Sequence, residues 1–185
     1  VATHFFSSPF HVLTWTLALS AAAWASLGVV GCATPPPRPR AGAGVRVENS
    51  ADADPAEMLE SLVEAHNRVR ESAGLAPLTV SDRLAAAAQG HADDMAGRRR
   101  MSHRGGDGSS PFRRMEAAGY RYQRAGENVA QGQRSVAEVM ASWMSSPGHK
   151  RNILGKFTEI GAGRATDESG TPYWCVTFGA PWRRE

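Results

Sequence analysis

The sequence predicts an α+β domain in which a small, mainly antiparallel sheet is covered by helices. Three observations carry that expectation. Apolar residues recur at helical spacing from residue 54 to about residue 154. From Phe157 onward the period changes, and β-branched and aromatic residues crowd into two short runs. Helices therefore come first and antiparallel strands last, the order expected of a sheet with helices packed against it.

The elements follow in chain order. Asp54 is placed to cap a helix, Pro55 suits its first position, and Glu57 completes a capping-box pattern. Met58, Leu59, Leu62, Val63, His66 and Val69 then form one stripe, and Gly74 is the expected stop. A second helix is expected from Ser81 to Gly97, with Leu84, Ala85, Ala88, His91, Ala92 and Met95 on one face. Its run of alanines leaves room for a close neighbour. Ser110-Pro111 opens a short third helix that ends near Gly119. Ser135 and Glu138 head a fourth, with Val136, Val139, Met140, Trp143 and Met144 facing inward. Ser146-Pro147 begins a short helical turn carrying His149. Residues 157–164 and 171–179 read as strands joined by the turn Asp167-Glu168-Ser169-Gly170, and residues 121–131 as a third strand segment.

Composition bounds the rest. With 185 residues, 42% apolar and 21% charged, the chain fits one folded domain with additional segments, not a disordered or collagen-like polymer. Two cysteines exclude a disulfide-dense scaffold and a four-cysteine zinc site. A balance of 21 basic to 18 acidic residues is too mild to argue for nucleic acid.

Charge is unevenly distributed. Residues 1–31 contain no Lys, Arg, Asp or Glu. An apolar run from Phe10 to Val30 ends in Val29-Val30-Gly31-Cys32, which resembles the lipobox of bacterial lipoproteins. The resemblance implies cleavage before Cys32 and a diacylglycerol on its thiol, a membrane anchor contributing about 0.8 kcal/mol per buried methylene. An uncleaved transmembrane anchor, or an ordinary cleaved signal, are the alternatives. All three readings put the body outside the cytoplasm, in the cell envelope. Ala33 after the cysteine favours the outer membrane where the cell has one. Residues 32–54, rich in Pro, Gly and Ala, read as a tether, and residues 55–182 as the folded domain. Cys175, in the apolar run Tyr173-Trp174-Cys175-Val176, reads as a buried thiol. A bridge to Cys32 is open only if Cys32 is not acylated.

No His-Glu-x-x-His, nucleophile elbow, phosphate loop or Cys-x-x-Cys is present. What remains is an ordered set of short strings. They are His66-Asn67-Arg68, Leu75-Ala76-Pro77-Leu78, Met101-Ser102-His103, Gly126-Glu127-Asn128-Val129-Ala130, Ser145 to Leu154 (SSPGHKRNIL), and Tyr173-Trp174 with Phe178-Gly179. The set resembles the CAP superfamily of cysteine-rich secretory, antigen 5 and pathogenesis-related 1 proteins, in its bacterial, disulfide-free branch. The resemblance covers residues 56–180. It implies a three-layer α-β-α sandwich and a cleft where His103, Glu127 and His149 converge, supported by Asn128 and Asn152. The second Glu of the family's tetrad is missing.

Two imidazoles and a carboxylate are a chemically compatible set for a divalent ion such as zinc. Placed near a helix N-terminus, His149 is expected to stay neutral. Other roles stay open at each position: a hydrogen-bonding histidine at 103, a loop staple at His149 and Asn152, a buried acceptor of backbone N–H groups at Glu127. His66 and His91, on apolar helix faces, read as structural, as do Asn67 and Asn128. Between Arg98 and Arg124 lie eight arginines and two acids. They read as a solvated loop, with a basic surface for an anionic lipid or envelope polymer as the alternative. Three functions follow: a lipid-anchored, monomeric binding module for a lipid, envelope component or metal; a metal-dependent, peptidase-like hydrolase using the same cleft; or a surface interaction protein with a vestigial cleft. No confident catalytic residue is assigned, and nucleic acid is not an expected partner.

Overall fold

The computed structural model describes residues 54–182. The signal-like segment 1–31, Cys32 and the tether up to residue 53 lie outside them. Among the described residues there are five helices and four strands. The helices are α1 (Pro55–Ser72), α2 (Asp82–Gly97), α3 (Pro111–Ala117), α4 (Val136–Ser145) and α5 (Pro147–Ile153). The strands are β1 (Thr79–Val80), β2 (Tyr122–Gln131), β3 (Glu159–Thr166) and β4 (Pro172–Pro181).

Local chemistry accounts for the helix ends. The Asp54 carboxylate accepts from the Ala56 N–H at 2.9 Å and opens α1. At its C-terminus Leu75 N–H reaches the Arg70 carbonyl, Gly74 N–H reaches that of Glu71, and Gly74 takes φ +70°. This is a Schellman stop, which needs a residue tolerant of the left-handed region. Ser110 accepts from Arg113 N–H and Ser135 from Glu138 N–H, starting α3 and α4. Glu138 reaches one residue further back than a capping box requires, to the N–H of Arg134.

The sheet runs β1-β3-β4-β2. The β3–β4 and β4–β2 pairs are antiparallel, with Glu127 opposite Thr177 and Val129 opposite Cys175. The two-residue β1, which no sequence signal announces, adds in parallel to β3. It is too short for any periodicity to reveal.

Alternation along β4 divides the core into layers. Trp174, Val176 and Phe178 face α1, α4 and α5, where they meet Leu62, Val139, Trp143 and Ile153. Tyr173 and Cys175 face α2, against Ala88, Ala92 and Met95. The result is the predicted helix–sheet–helix sandwich. The alanine face of α2 lets the helix lie directly on β3. A side chain at Gly161 or Gly163 would run into the α2 backbone at Leu84–Ala85 or Ala88–Gln89, so only glycine fits beneath it. Arg70 has a role no motif announced. Its buried guanidinium donates to the carbonyls of Ala76, Ile153, Gly155 and Phe157 at 2.8–3.2 Å, fastening the α5–β3 loop to the end of α1.

Candidate functional site

Glu127 lies mid-strand in β2, and its side chain is only 2% exposed. A carboxylate there must be neutralised or held by donors. Both happen. His103 Nδ1 lies 2.8 Å from Oε1, and Arg114 Nη2 donates to Oε2 at 2.7 Å. The Cys175 thiol completes the shell at 3.5 Å from Oε2. The carboxylate therefore accepts from side chains, not from the backbone N–H groups that the sequence left open as partners. Because Nδ1 faces an acceptor, it carries the proton. His103 keeps 55% of its side chain exposed, so the carboxylate orients the imidazole from behind while its free edge faces solvent.

Two elements position His103. The preceding residue is held through its carbonyl by His91, whose Nε2 donates to Ser102 O at 2.7 Å. Arg114, from α3, donates both to Glu127 and to the His103 carbonyl at 3.0 Å. Arg114 is the functional residue that sequence reasoning missed. It is one of eight arginines in a stretch read as solvated, and although it falls in the expected third helix nothing in its neighbours distinguishes it. Only its place on the inward side of a short helix does so. Arg98 and Arg99 are bound to Asp94 and Glu168, whereas Arg100, Arg104, Arg113, Arg121 and Arg124 are exposed.

His149 enters from α5, the third residue of that helix. Its backbone is clasped to β2: Asn128 Nδ2 donates to the His149 carbonyl at 3.2 Å. Asn152 Nδ2 in turn donates to Glu127 O at 3.0 Å and Asn128 Oδ1 at 2.9 Å. Asn128 and Asn152 thus support the site by tying the helix to the strand. Gly126 leaves room for this, since any side chain there would press on Phe157 and Asn152. Burial first, and the nearby His103 second, hold the His149 pKa below its ordinary value, so the ring is neutral. Its Nδ1 is buried without a partner.

The structure brings His103 and Glu127 into contact and sets His149 within electrostatic reach of His103. It does not form a three-ligand metal centre. Among the described residues no three His, Cys, Asp or Glu side chains are placed to hold an ion. The reason is visible in the donor set: both oxygens of Glu127 are committed, one of them to a guanidinium that already supplies the positive charge. A dication would have to displace Arg114.

The histidines read as structural lie in the core. His66, fully buried, donates from Nδ1 to Leu62 O at 2.8 Å and sits 5.6 Å from the rings of both Trp143 and Phe178. Asn67 exchanges hydrogen bonds with the backbone of Leu78. Cys175 is a free, buried thiol whose pKa is pushed up by burial and by Glu127.

This architecture defines a class. The profile of the cysteine-rich secretory protein (CAP) family matches residues 63–178, and the chain belongs to that family. A Bacillus subtilis relative, the uncharacterized protein YkwD, is 38% identical over 120 residues, covering 64% of this chain and 46% of the relative. The B. subtilis membrane protein YlbC is 30% identical over 105 residues, covering 56% of this chain and 30% of its own length. The chain thus spans less than half the length of these curated relatives. Among solved structures, an outer surface protein of Borrelia burgdorferi superposes with a TM-score of 0.65 at 23% identity, over 70% of this chain and 96% of that one. An extracellular Bacillus anthracis protein containing an SCP domain gives 0.61 at 24% identity, over 67% of this chain and 40% of its own. These likenesses show the fold. No helix of the described residues is long and apolar enough to cross a membrane.

Proposed function

We propose that this protein is an envelope-tethered binding module that receives an anionic headgroup, of a lipid or an envelope polymer, at the His103–Glu127–His149 cleft. The tether is residues 32–54, anchored through Cys32, and the domain faces outside the cytoplasm. The observation that carries the reading is the Arg114–Glu127–His103 relay. A buried carboxylate, neutralised from one side, holds an exposed imidazole in one orientation with its proton-bearing Nδ1 turned inward. The outward Nε2 is thus a preorganised acceptor at the surface for a hydroxyl of the headgroup, which lowers the cost of ordering on binding. Exposed Arg100, Arg104 and Arg113, from the segments around His103, add positive field for an anionic ligand. Both oxygens of Glu127 are engaged, by His103 and by Arg114, an arrangement that favours recognition over hydrolysis.

The test is co-sedimentation of residues 54–185 with phosphatidylglycerol vesicles, comparing wild type with His103→Ala and Glu127→Gln. Binding that falls at least fivefold in both variants supports the reading. Equal sedimentation of all three removes it. Zinc chloride titration of the same proteins is expected to give no heat that depends on His103. A stoichiometric heat that His103→Ala abolishes would make the cleft a metal site instead.

A further inference from the structure

We propose a second binding site, remote from the histidine cleft, that takes a neutral saccharide chain. It is a groove of about 690 Å³ where the start of α2, the α3–β2 link, the first residue of β3 and the end of β4 meet. That volume falls in the range of ligand clefts, about 300–1,000 Å³. Its lining includes Asp82, Arg83, Tyr120, Arg121, Glu159 and Trp182, none of which belongs to the His103 site.

Three features point to a sugar. The first is Trp182. Its indole is 63% exposed, while its backbone N–H is pinned to the Arg121 carbonyl at 3.0 Å. A large aromatic surface is thus held at the rim of a groove, in water. Such a surface costs free energy to leave bare and suits a ligand with apolar C–H faces. The second is Tyr120. It is 3% exposed and lines the groove from the protein side. The ring lies flat against Gly179, where any side chain would collide with it. Burial first, and the neighbouring Glu159 carboxylate second, raise the pKa of the hydroxyl. The third is charge. Asp82 and Glu159 balance Arg83 and Arg121 across the groove, so it has no net preference for an ion. These carboxylates and guanidinia instead supply acceptors and donors for a ligand carrying many hydroxyls.

A second groove, of about 990 Å³, shares Gly119, Arg121 and Trp182 with the first and continues past Tyr122 and Glu116. The Tyr122 hydroxyl donates to Glu116 at 3.2 Å, and Phe112 packs 6.1 Å from its ring. Two grooves flanking one indole fit successive units of a chain better than a single sugar.

The experiment titrates the full chain, in a detergent without a sugar headgroup, with linear glucose and N-acetylglucosamine oligomers, following the heat of binding by calorimetry. Saturable binding is expected for at least one oligomer series, tightening with chain length. Trp182→Ala should weaken it at least tenfold, with circular dichroism unchanged. His103→Ala should leave it intact, which separates this site from the cleft. No saturable binding to either series, or binding that survives Trp182→Ala, overturns the proposal.

Discussion

Acid should destabilise this protein through one buried histidine. His66 is wholly enclosed between Trp143 and Phe178, and burial, aided by Arg70, lowers its pKa from 6.5 to about 4 against the opposing pull of the Leu62 carbonyl. The unfolded chain takes up a proton on this imidazole as pH falls through about 6.5, and the folded chain does so only near 4. Within that window protons favour the unfolded state. Stability contributed by neutral His66 is therefore complete above about pH 6.5, declines below it, and levels off under about pH 4. The shift corresponds to about 3 kcal/mol, a large fraction of the roughly 5–15 kcal/mol that holds a domain folded. The measurement is urea unfolding of residues 54–185 from about pH 7.5 to about pH 3.5, for wild type and His66→Phe. The substitution keeps an aromatic ring between its neighbours and removes the titration. Subtracting the two curves cancels other acid-sensitive groups such as Asp94, whose ion pair with Arg98 both proteins share. The stability difference should swing by about 3 kcal/mol in favour of the variant as pH falls. A difference that stays constant within about 0.5 kcal/mol would show that His66 does not titrate as its burial requires.

Two further perturbations probe the packing and the site. Gly163→Ala drives a methyl group into the α2 backbone at Ala88–Gln89 and should cost about 3 kcal/mol or more. Gly90→Ala, on the exposed side of the same helix with nothing near it, should instead stabilise by about 0.5–1 kcal/mol. Chemical denaturation of both variants checks the pair, and similar midpoints would mean that α2 does not rest on β3. Arg114→Ala leaves the Glu127 charge buried without its guanidinium and should cost about 3–5 kcal/mol. Adding Glu127→Gln to that variant should recover part of the loss. A single-variant cost below about 1 kcal/mol would show that the pair is not what neutralises the carboxylate.

Much of the architecture was legible because it is written locally. The caps at Asp54, Ser110 and Ser135, the proline starts and the glycine stop at position 74 act within a turn of helix, and each is where the residue types place it. The switch to period two after Phe157 marked β3 and β4, with bounds that moved by one or two residues. The ordered strings named the right family, and with it the meeting of His103 and Glu127, which their separation in the chain does not imply. What escaped were residues whose meaning is three-dimensional. Arg70 satisfies four carbonyls, three of them far along the chain, Arg114 alone among the arginines around it reaches Glu127, and Tyr120 and Trp182 line one groove only because β4 brings the chain back to Arg121.

The amino-acid order by itself determined the helices and the three long strands, since propensity, capping and amphipathic period depend on near neighbours, and its ordered strings carried the family and the layered sandwich. The tertiary structure alone decided the character of the cleft. Whether Glu127 would face a metal or a guanidinium depends on which cation the fold carries to within hydrogen-bonding distance of a buried carboxylate. Arg114 arrives there by the docking of a short helix, a long-range event that no local signal in the chain records.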